Sequence, residues 1–275
     1  MTYENLSEWS GFSIRSLEEK FHNLLDLEPP LNLLPQPLTE EVYLLIDGLW
    51  FGKRFCLMLY RRSKDKLLLR VSFMAKEYGS LMAKDLIALR SDGHRFTGAV
   101  SDGGTGVKKA IVKVFGHIPH QICMAHLHRQ AVNALGVHPK DLNVRRLKEL
   151  ADWVWNIESK EALRWWKDQY HQWYLDNWSY LNEYRRDEKG HWWYIHKGVR
   201  KAARTLVYLA DYSFEFLDHP LMPKTTNEIE ATFGVMSTKQ GIHKGLKRER
   251  IEGFLKWFVY FYNRNILSQR KNKKA

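Results

Sequence analysis

The stretch EVYLLIDGLWFGKRFCLMLYRRSKDKLLLRVSFM, residues 41–74, decides the fold class of this chain. It contains three apolar runs of strand length, at 41–50, 55–62 and 66–74, with polar, turn-forming residues between them. Consecutive strands joined by such short turns pair as an antiparallel meander. We therefore expect three neighbouring strands at the start of a sheet.

The chain after this meander alternates helical and strand patterns. Residues 76–90 are amphipathic and predict a helix, and residues 95–104 predict a fourth strand that ends in glycines. Residues 107–116 predict a short helix, and residues 117–135 predict a brief strand that continues into another helix. This order of elements is that of an RNase H-like fold, an α/β architecture in which helices flank a mixed sheet.

A helical pair is predicted before the sheet. Residues 5–25 predict two helices joined by a tight turn at Gly11, with Ser13 capping the second helix. We interpret residues 1–28 as a partial helix-turn-helix, and an ordinary helical hairpin is the alternative. The residues expected to form the buried stripe of the second helix are Ile14, Leu17, Phe21 and Leu24.

A linker and an insertion complete the predicted organisation. Residues 29–40 are rich in proline, which can continue neither a helix nor a central strand, and predict a stiff linker. The sheet domain is expected at 41–137 and 223–275, interrupted by an all-helical insertion at 138–222. The tryptophans of the insertion are Trp153, Trp155, Trp165, Trp166, Trp173, Trp178, Trp192 and Trp193. We expect most of them to pack in a core, while the alternative is that some stack on DNA bases.

The composition favours a globular protein with a polyanionic partner. The formal charge of +12 is typical of nucleic-acid binding, although a basic protein without such a partner is the alternative. No apolar run reaches the length of a membrane span, and the first residues do not resemble a secretory signal. The two cysteines, Cys56 and Cys123, exclude a disulfide framework, so we expect a cytoplasmic protein with no membrane partner.

Two aspartates that follow apolar strands are candidate metal ligands. Asp47 comes after such a strand and precedes Gly48, so it either binds a cation or opens a turn. Asp102 precedes a glycine-rich turn and a helix, which also fits a nucleotide-binding loop, although the P-loop spacing is missing. Phosphodiester transfer uses divalent metals held by two or three convergent carboxylates, so two such acids together favour a metal site.

A third candidate carboxylate lies in a predicted helix at 224–240, whose first turn contains Glu228 and Glu230. The candidate cap residues are Thr225, Thr226 and Asn227. The residues expected to face the core, at spacing i, i+4 and i+7, are Ile229, Phe233 and Met236. Because each residue turns the helix by about 100°, the two glutamates lie on opposite sides of that face. We expect Glu230 to be the ligand, because its side carries small residues that leave room for a metal ion.

Taken together, these motifs resemble those of the Mutator-like group of bacterial insertion-sequence transposases. The matching stretches are Asp47-Gly48, Ser101-Asp102-Gly103-Gly104, Cys123-Met124-Ala125-His126, Thr225-Thr226-Asn227 with Ile229-Glu230, His243-Lys244-Gly245 and the region from Trp257 to Asn263. They span nearly all of residues 41–265. In that group a helical insertion also separates the second aspartate from the glutamate, whereas the amino-terminal DNA-binding region is longer than it is here.

The resemblance implies a DDE transposase, which cleaves transposon ends and joins them to target DNA. It implies Asp47, Asp102 and Glu230 as the catalytic ligands of two Mg²⁺ ions, for which Mn²⁺ can substitute. It also implies that Cys123 and His126 support the active site. The basic residues expected to bind DNA phosphates are Lys108, Lys109, Lys244, Lys247 and Arg248. The expected partners are double-stranded DNA and at least one further copy of the chain, in the bacterial nucleoid.

Other functions remain open for the same residues. One is an RNase H-like nuclease that does not join DNA, and another is a transposase-derived protein that binds DNA without catalysis. A zinc site is a further hypothesis, and its candidate ligands are His117, His120, Cys123, His126 and His128. All five lie in one strand-to-helix passage, where few of them can converge on an ion. The sequence therefore favours the carboxylate site.

Overall fold

The computed structural model describes residues 3–30, 37, 40, 42–52, 55–243 and 245–272, apart from the side chains of 270–272. The chain has an α/β fold in which helices flank a five-stranded mixed sheet. None of the helices in the described ranges is long and apolar enough to cross a membrane.

The sheet is built around the predicted meander. Its strands are β1 (Tyr43–Phe51), β2 (Phe55–Arg62), β3 (Leu68–Met74), β4 (Gly98–Ser101) and β5 (His120–Ile122), and their order is β3-β2-β1-β4-β5. Strands β1, β2 and β3 pair antiparallel, as predicted, whereas β4 is parallel to β1 and β5 is parallel to β4. Only residues 43–45 of β1 are paired with β4. Strand β1 therefore extends past the carboxyl end of β4.

Asp47 lies inside strand β1 and not in a turn. Its Cα is paired with that of Leu59 in β2, and the antiparallel pairing continues to the end of the strand. Gly48 is tightly enclosed, since a Cβ at this position would lie 2.9 Å from Met58 Sδ and 3.0 Å from Cys56 Sγ. The alternative in which Asp47 and Gly48 open a turn is therefore wrong, because both residues continue the ladder with β2.

The helices lie on both faces of the sheet and beyond its β5 edge. They are α1 (Tyr3–Ser10), α2 (Ile14–Leu25), α3 (Gly79–Ser91), α4 (Thr105–Phe115), α5 (Met124–Leu135), α6 (Leu142–Trp153), α7 (Lys160–Asp176), α8 (Trp178–Asn182), α9 (Lys197–Tyr212), α10 (Asn227–Gly241) and α11 (Arg248–Asn272). Short helical turns occupy 154–156 and 215–217. The helices predicted within 76–90, 107–116 and 117–135 are confirmed as α3, α4 and α5.

Three clusters of buried apolar side chains hold these elements together. Leu44 and Ile46 point from β1 into a cluster with α3 and α4, while Leu45 points to the opposite face, where α10 and α11 pack. This alternation follows from the two-residue period of a strand. Because both faces of β1 are covered, its apolar run is continuous rather than alternating. A third cluster, centred on Trp166, joins β5 and α5 to α6, α7 and α9.

The two predicted amino-terminal helices are present as α1 and α2, and the Ser13 hydroxyl caps α2 as expected. The expected buried stripe is wrong, because Ile14 and Leu24 are 41% and 37% exposed. Helix α2 instead packs on α11 through its last turn, where Leu25 is buried and the Trp257 indole donates to the Leu24 carbonyl at 2.8 Å. The predicted linker at 29–40 lies largely outside the described residues.

The region between α5 and α10 was predicted to be all-helical, and this prediction is wrong. It contains a two-stranded antiparallel hairpin formed by β6 (Tyr184–Arg186) and β7 (Trp192–Tyr194). Each strand has three residues, and most of their side chains are exposed. The hairpin was missed because such short, exposed strands carry no alternation of apolar and polar residues.

The tryptophans of this region are mostly exposed, so the expectation that most of them form a core is also wrong. Trp166 and Trp173 are buried, and Trp153 is half-buried. The exposed ones are Trp155, Trp165, Trp178, Trp192 and Trp193. The reason is that α7 buries a single stripe, formed by Trp166, Tyr170 and Trp173 at spacing i, i+4 and i+7.

Candidate active site

A buried carboxylate, that of Asp47, lies at the centre of the candidate site. Its side chain accepts hydrogen bonds from the Gly48 amide at 2.8 Å and from the Thr226 hydroxyl at 2.9 Å. Burial raises the pKa of Asp47 to about 6, and the charge of Asp102 adds to the rise. Interactions with His126, Thr226 and Gly48 act in the opposite direction and lower the pKa. The ionised form of Asp47 is therefore one that a neighbouring cation would stabilise.

Glu230 and His126 meet Asp47 at this point. One ligand atom from each of the three residues lies within 4.8 Å of the other two. His126 Nε2 lies 3.5 Å from Glu230 Oε1, and the Arg129 guanidinium contacts both carboxylate oxygens of Glu230 at 3.1–3.3 Å. The structure thus brings together the first and third predicted acids, from β1 and α10, with two basic side chains from α5.

The orientation of α10 matches the predicted one. Ile229 and Met236 are fully buried against the sheet. The Glu228 carboxylate accepts from the buried Arg61 guanidinium at 2.8 Å, whereas Glu230 lies on the other side of the helix, near Asp47. The prediction that the two glutamates lie on opposite sides of the core-facing stripe is confirmed, and Glu230 is the one that reaches the site.

Cys123 and His126 lie at the start of α5, beside Asp47. The Thr226 amide and hydroxyl contact Cys123 Sγ at 3.3 and 3.4 Å. Burial raises the pKa of Cys123, but interactions with His126 and Thr226 outweigh burial, so the net direction is down. Interaction with Cys123 raises the pKa of His126 to about 9, against the effect of burial, and Asp47 and Glu230 add to the rise. These effects favour the protonated form of His126.

Asp102 approaches the site from the carboxyl end of β4. It lines, together with Asp47, a small cavity of about 150 Å³. Its Oδ1 accepts from the Gly104 amide at 3.0 Å, so the carboxylate caps its own glycine turn. Asp102 is not one of the three residues whose ligand atoms lie within 4.8 Å of one another. The charge of Asp102 nevertheless acts on Asp47, whose pKa it raises.

Glu77 lines the same cavity and was not predicted as a site residue. Its Oε1 accepts from the Trp50 indole at 2.6 Å and from the Cys56 thiol at 3.5 Å. Glu77 was expected in the helix predicted at 76–90, but α3 begins at Gly79, so Glu77 lies in the loop between β3 and α3. A third carboxylate therefore borders the cavity that Asp47 and Asp102 share.

Two further contacts were missed by the sequence analysis. Thr226, predicted as a helix cap, occupies the cap position of α10, but its hydroxyl bonds to Asp47 rather than to the helix backbone. Arg129 lies one helical turn after His126, and this i, i+3 spacing is the signal that would have pointed to it.

The predicted zinc ligands do not converge in the described part of the chain. His120 Nε2 lies 2.8 Å from the Ser101 hydroxyl, and His128 Nε2 lies 2.9 Å from an Asp152 carboxylate oxygen. Both side chains therefore have other partners, and His126 belongs to the carboxylate site.

The basic residues expected to bind DNA phosphates differ in exposure. Lys109, Lys247 and Arg248 are exposed, and Arg248 forms an ion pair with Glu252 at 3.0 Å. Lys108 is half-buried, and its ammonium lies 4.5 and 4.2 Å from the ring centroids of Tyr208 and Tyr212. Lys244 lies outside the described residues. Phosphate binding by these side chains stays a prediction.

Comparisons of the sequence with protein-family models and with curated proteins found no match. The functional argument therefore rests on the motifs and on the geometry of the site. The arrangement offers carboxylate oxygens around a small cavity, with two cations beside them, which is chemistry suited to a metal ion and a phosphate.

Proposed function

We propose that this chain is the catalytic part of a DDE transposase similar to the Mutator-like bacterial insertion-sequence group, cleaving transposon ends and joining them to target DNA. The observation that carries the proposal is the approach of carboxylates from three distant segments. Asp47 comes from β1, Asp102 from the end of β4 and Glu230 from the first turn of α10. An acid set assembled from such separate segments has no evident role in folding, since its members repel each other.

The arrangement of the sheet supports the same proposal. The chain follows the strand-strand-strand-helix-strand-helix-strand-helix order that we associate with an RNase H-like fold. The region from α6 to α9 then corresponds to the insertion that the resemblance implies between the second aspartate and the glutamate. We interpret α1 and α2 as the end of a helix-turn-helix, in which Arg15 and Lys20 of α2 are exposed.

The donor set fits Mg²⁺. Carboxylate oxygens are the protein ligands that this ion prefers, and Asp47, Asp102 and Glu230 offer them at one edge of the sheet. The buried Asp47 is also stabilised as a carboxylate when a cation lies nearby. Two bound Mg²⁺ ions, or Mn²⁺ in their place, would activate the attacking oxygen and stabilise the leaving oxygen.

The chain's own side chains prepare the site for a phosphate. Thr226 holds the Asp47 carboxylate in one orientation, since its hydroxyl donates to Oδ2. His126 and Arg129 carry positive charge beside Glu230. A DNA phosphate that approaches the carboxylates would meet these two cations, which lower the electrostatic penalty of bringing negative charges together.

The test is Mg²⁺-dependent cleavage of DNA that carries the sequences flanking the coding region. Asp47→Asn and Asp102→Asn should each abolish cleavage and leave DNA affinity nearly unchanged, because affinity comes mainly from basic side chains. Asp92→Asn is the matched control, since Asp92 is an exposed aspartate at the end of α3. Substantial cleavage by either site variant would show that its aspartate is not a metal ligand.

Joining is tested separately with pre-cleaved ends and a target plasmid. Products that link end to target support a transposase, whereas cleavage without joining identifies a nuclease. DNA binding with no metal-dependent chemistry identifies a binding protein. Paired-end joining also requires two copies of the chain on DNA, and a complex with a single copy that performs it would contradict the proposed assembly.

A further inference from the structure

The β6–β7 hairpin exposes large aromatic side chains that nothing in the described structure covers. Tyr184 and Trp192 are 62% and 56% exposed, and Trp193 is also exposed. Isolated exposed aromatics are common, but a group of them on one short ribbon indicates a binding surface. This hairpin has no role in the proposed active site.

The pairing of the two strands places aromatic and arginine side chains on the same face. Tyr184 is paired with Tyr194, and Arg186 is paired with Trp192, so all four lie on one face of the ribbon. The rings contact one another edge to face, with centroids 6.3 Å apart for Tyr184 and Trp192 and 5.2 Å apart for Trp192 and Tyr194. Arg185 and Trp193 form the corresponding pair on the opposite face.

The hairpin is held in a defined shape. At its turn, the Asp187 carboxylate accepts from the Lys189 and His191 amides at 3.0 and 2.8 Å, and Gly190 adopts a left-handed conformation with φ of 84°. At its base, the Arg200 guanidinium of α9 lies 3.5 Å from the Tyr194 ring centroid. The exposed rings are thus presented on a preformed ribbon, which lowers the entropic penalty of binding.

The charges of the hairpin favour an anionic partner. Arg185 and Arg186 are exposed and have no ion-pair partner among the residues that the structure describes. Of the neighbouring acids, Asp187 is engaged in the turn and Glu183 pairs with His196 at 2.9 Å, which leaves Glu188 at the tip. Unpaired arginines beside exposed aromatic rings match the phosphates and bases of a nucleic acid.

We infer that the β6–β7 hairpin binds the DNA duplex that enters the active site, with Arg186 on the phosphate backbone and Trp192 and Tyr184 against the groove. A two-stranded ribbon is narrow enough to enter a DNA groove. This inference rests on the proposed function, because it assigns a second contact to the same DNA.

Helix α5 connects the candidate site to the start of α9, which follows the hairpin in the chain. Gly198, at the start of α9, packs against the Ala134 carbonyl near the end of α5, whereas Cys123 and the candidate site lie at the beginning of α5. At 1.5 Å per residue, the path along α5 from Cys123 to Ala134 is about 16 Å. That length corresponds to about five base pairs of DNA. We therefore expect the hairpin to contact DNA about five base pairs from the cleaved phosphate.

The test compares two double variants of the full chain in binding to a labelled DNA duplex. Arg186→Gln with Trp192→Ala should weaken binding about ten-fold or more and should reduce the salt dependence by about one phosphate contact. The matched control is Arg164→Gln with Trp165→Ala, which removes an exposed arginine and an exposed tryptophan from α7 of the same region. The control should bind as the wild type does.

The single variant Arg186→Gln separates the loss of a DNA contact from unfolding of the hairpin. The Arg186 side chain is exposed, so its replacement should leave the hairpin folded and should still lower the salt dependence of binding. Wild-type affinity in both hairpin variants would overturn the inference. Lost self-association, or lost binding to an RNA duplex only, would also overturn it, since the surface would then serve another partner. If the hairpin variants lose DNA affinity while the wild type shows no Mg²⁺-dependent cleavage, the hairpin inference stands and the proposed function fails.

Discussion

The hydroxyl of Thr226 donates to Oδ2 of Asp47 at 2.9 Å, a bond between residues 179 positions apart in the chain. Thr226 is fully buried at the start of α10, and its amide also contacts Cys123 Sγ. One residue therefore links β1, α5 and α10. Glu230 follows one turn later on α10, so this contact also sets where the third carboxylate lies relative to the first.

Replacing Thr226 by valine should impair the site through Asp47. The variant keeps the shape of the side chain but removes the donor, so the pKa of Asp47 should rise above its value of about 6. One hydrogen bond to a charged group corresponds to a change of about ten-fold. At pH 7 the ionised fraction of Asp47 should then fall from about nine-tenths to about one-half, so cleavage should fall about two-fold and recover as the pH is raised. Below pH 6 the loss should approach ten-fold.

Thr225→Val is the matched control for this experiment. The Thr225 hydroxyl accepts from the Asn227 amide at 3.3 Å and lies outside the contact with Asp47. A carbon-13 NMR titration of the aspartate side chains in metal-free protein should show a higher pKa for Asp47 in the Thr226 variant only. An unchanged Asp47 titration in Thr226→Val would contradict the positioning role.

Glu230→Gln should abolish cleavage, whereas Glu228→Gln should leave most of it. Glu230 lies within reach of Asp47 and His126, and the change removes a charged oxygen ligand. Glu228 faces away and pairs with Arg61, an interaction that glutamine can replace with a neutral hydrogen bond. The two variants differ by two positions on one helix, so a Mg²⁺-dependent cleavage assay isolates the effect of orientation.

The reverse result would mean that Glu228 serves the metal. It would require α10 to turn so that the buried Ile229 and Met236 left the core. Thermal unfolding of both variants should accompany the assay. A modest loss of stability is expected for Glu228→Gln, because Arg61 is buried and loses a charged partner.

The sheet and its metal-ligand candidates were predictable because strong local patterns encode them. Continuous apolar runs predicted β1, β2 and β3, and the helical period of Ile229, Phe233 and Met236 gave the orientation of α10. The predicted strand at 41–50 already contained Asp47, but an Asp-Gly pair also fits a turn, so the sequence left both possibilities open. The pairing of Asp47 and Gly48 with β2 decides between them, and that pairing leaves no mark in the sequence.

Contacts between distant segments account for the parts of the site that the sequence did not reveal. The ion pair of Arg129 with Glu230 joins α5 to α10, and Glu77 enters the cavity from a loop. Periodicity identifies the buried side of a helix but not which exposed residue meets a partner. The exposure of Trp192 was missed for a related reason, since a large apolar side chain suggests burial unless a binding surface needs it.

His120 should make the stability of the fold depend on pH in the acidic range. Burial lowers the pKa of His120 to about 4, and Lys108 adds to the decrease. Between pH 4 and 6.5, the ordinary pKa of histidine, the unfolded chain binds a proton at this residue and the folded chain does not. The contribution of His120 to stability is therefore complete above 6.5 and is lost as the pH falls towards 4, by up to about 3 kcal/mol.

Urea unfolding of the wild type and His120→Gln at several pH values measures this contribution. As the pH falls from 6.5 towards 4, the free energy of unfolding of the wild type should decrease relative to that of the His120→Gln variant. Other titrating groups, such as Asp47, affect both proteins equally and cancel in the difference. His117→Gln, at an exposed position nearby, is the control. A difference that is independent of pH would contradict the prediction.

Gly253→Ala should loosen the contact between the amino-terminal hairpin and the rest of the fold. A Cβ at Gly253 in α11 would collide with the Leu25 carbonyl of α2, and a backbone atom cannot move aside as a side chain does. The expected loss is about 2 kcal/mol in the free energy of unfolding, with faster proteolysis within α1 and α2.

Gly234→Ala in α10 is the matched control, because nothing lies within 4 Å of its added Cβ. That variant should be more stable by about 0.5–1 kcal/mol, since alanine favours a helix over glycine. Equal gains in both variants would mean that α2 does not pack on α11 in solution.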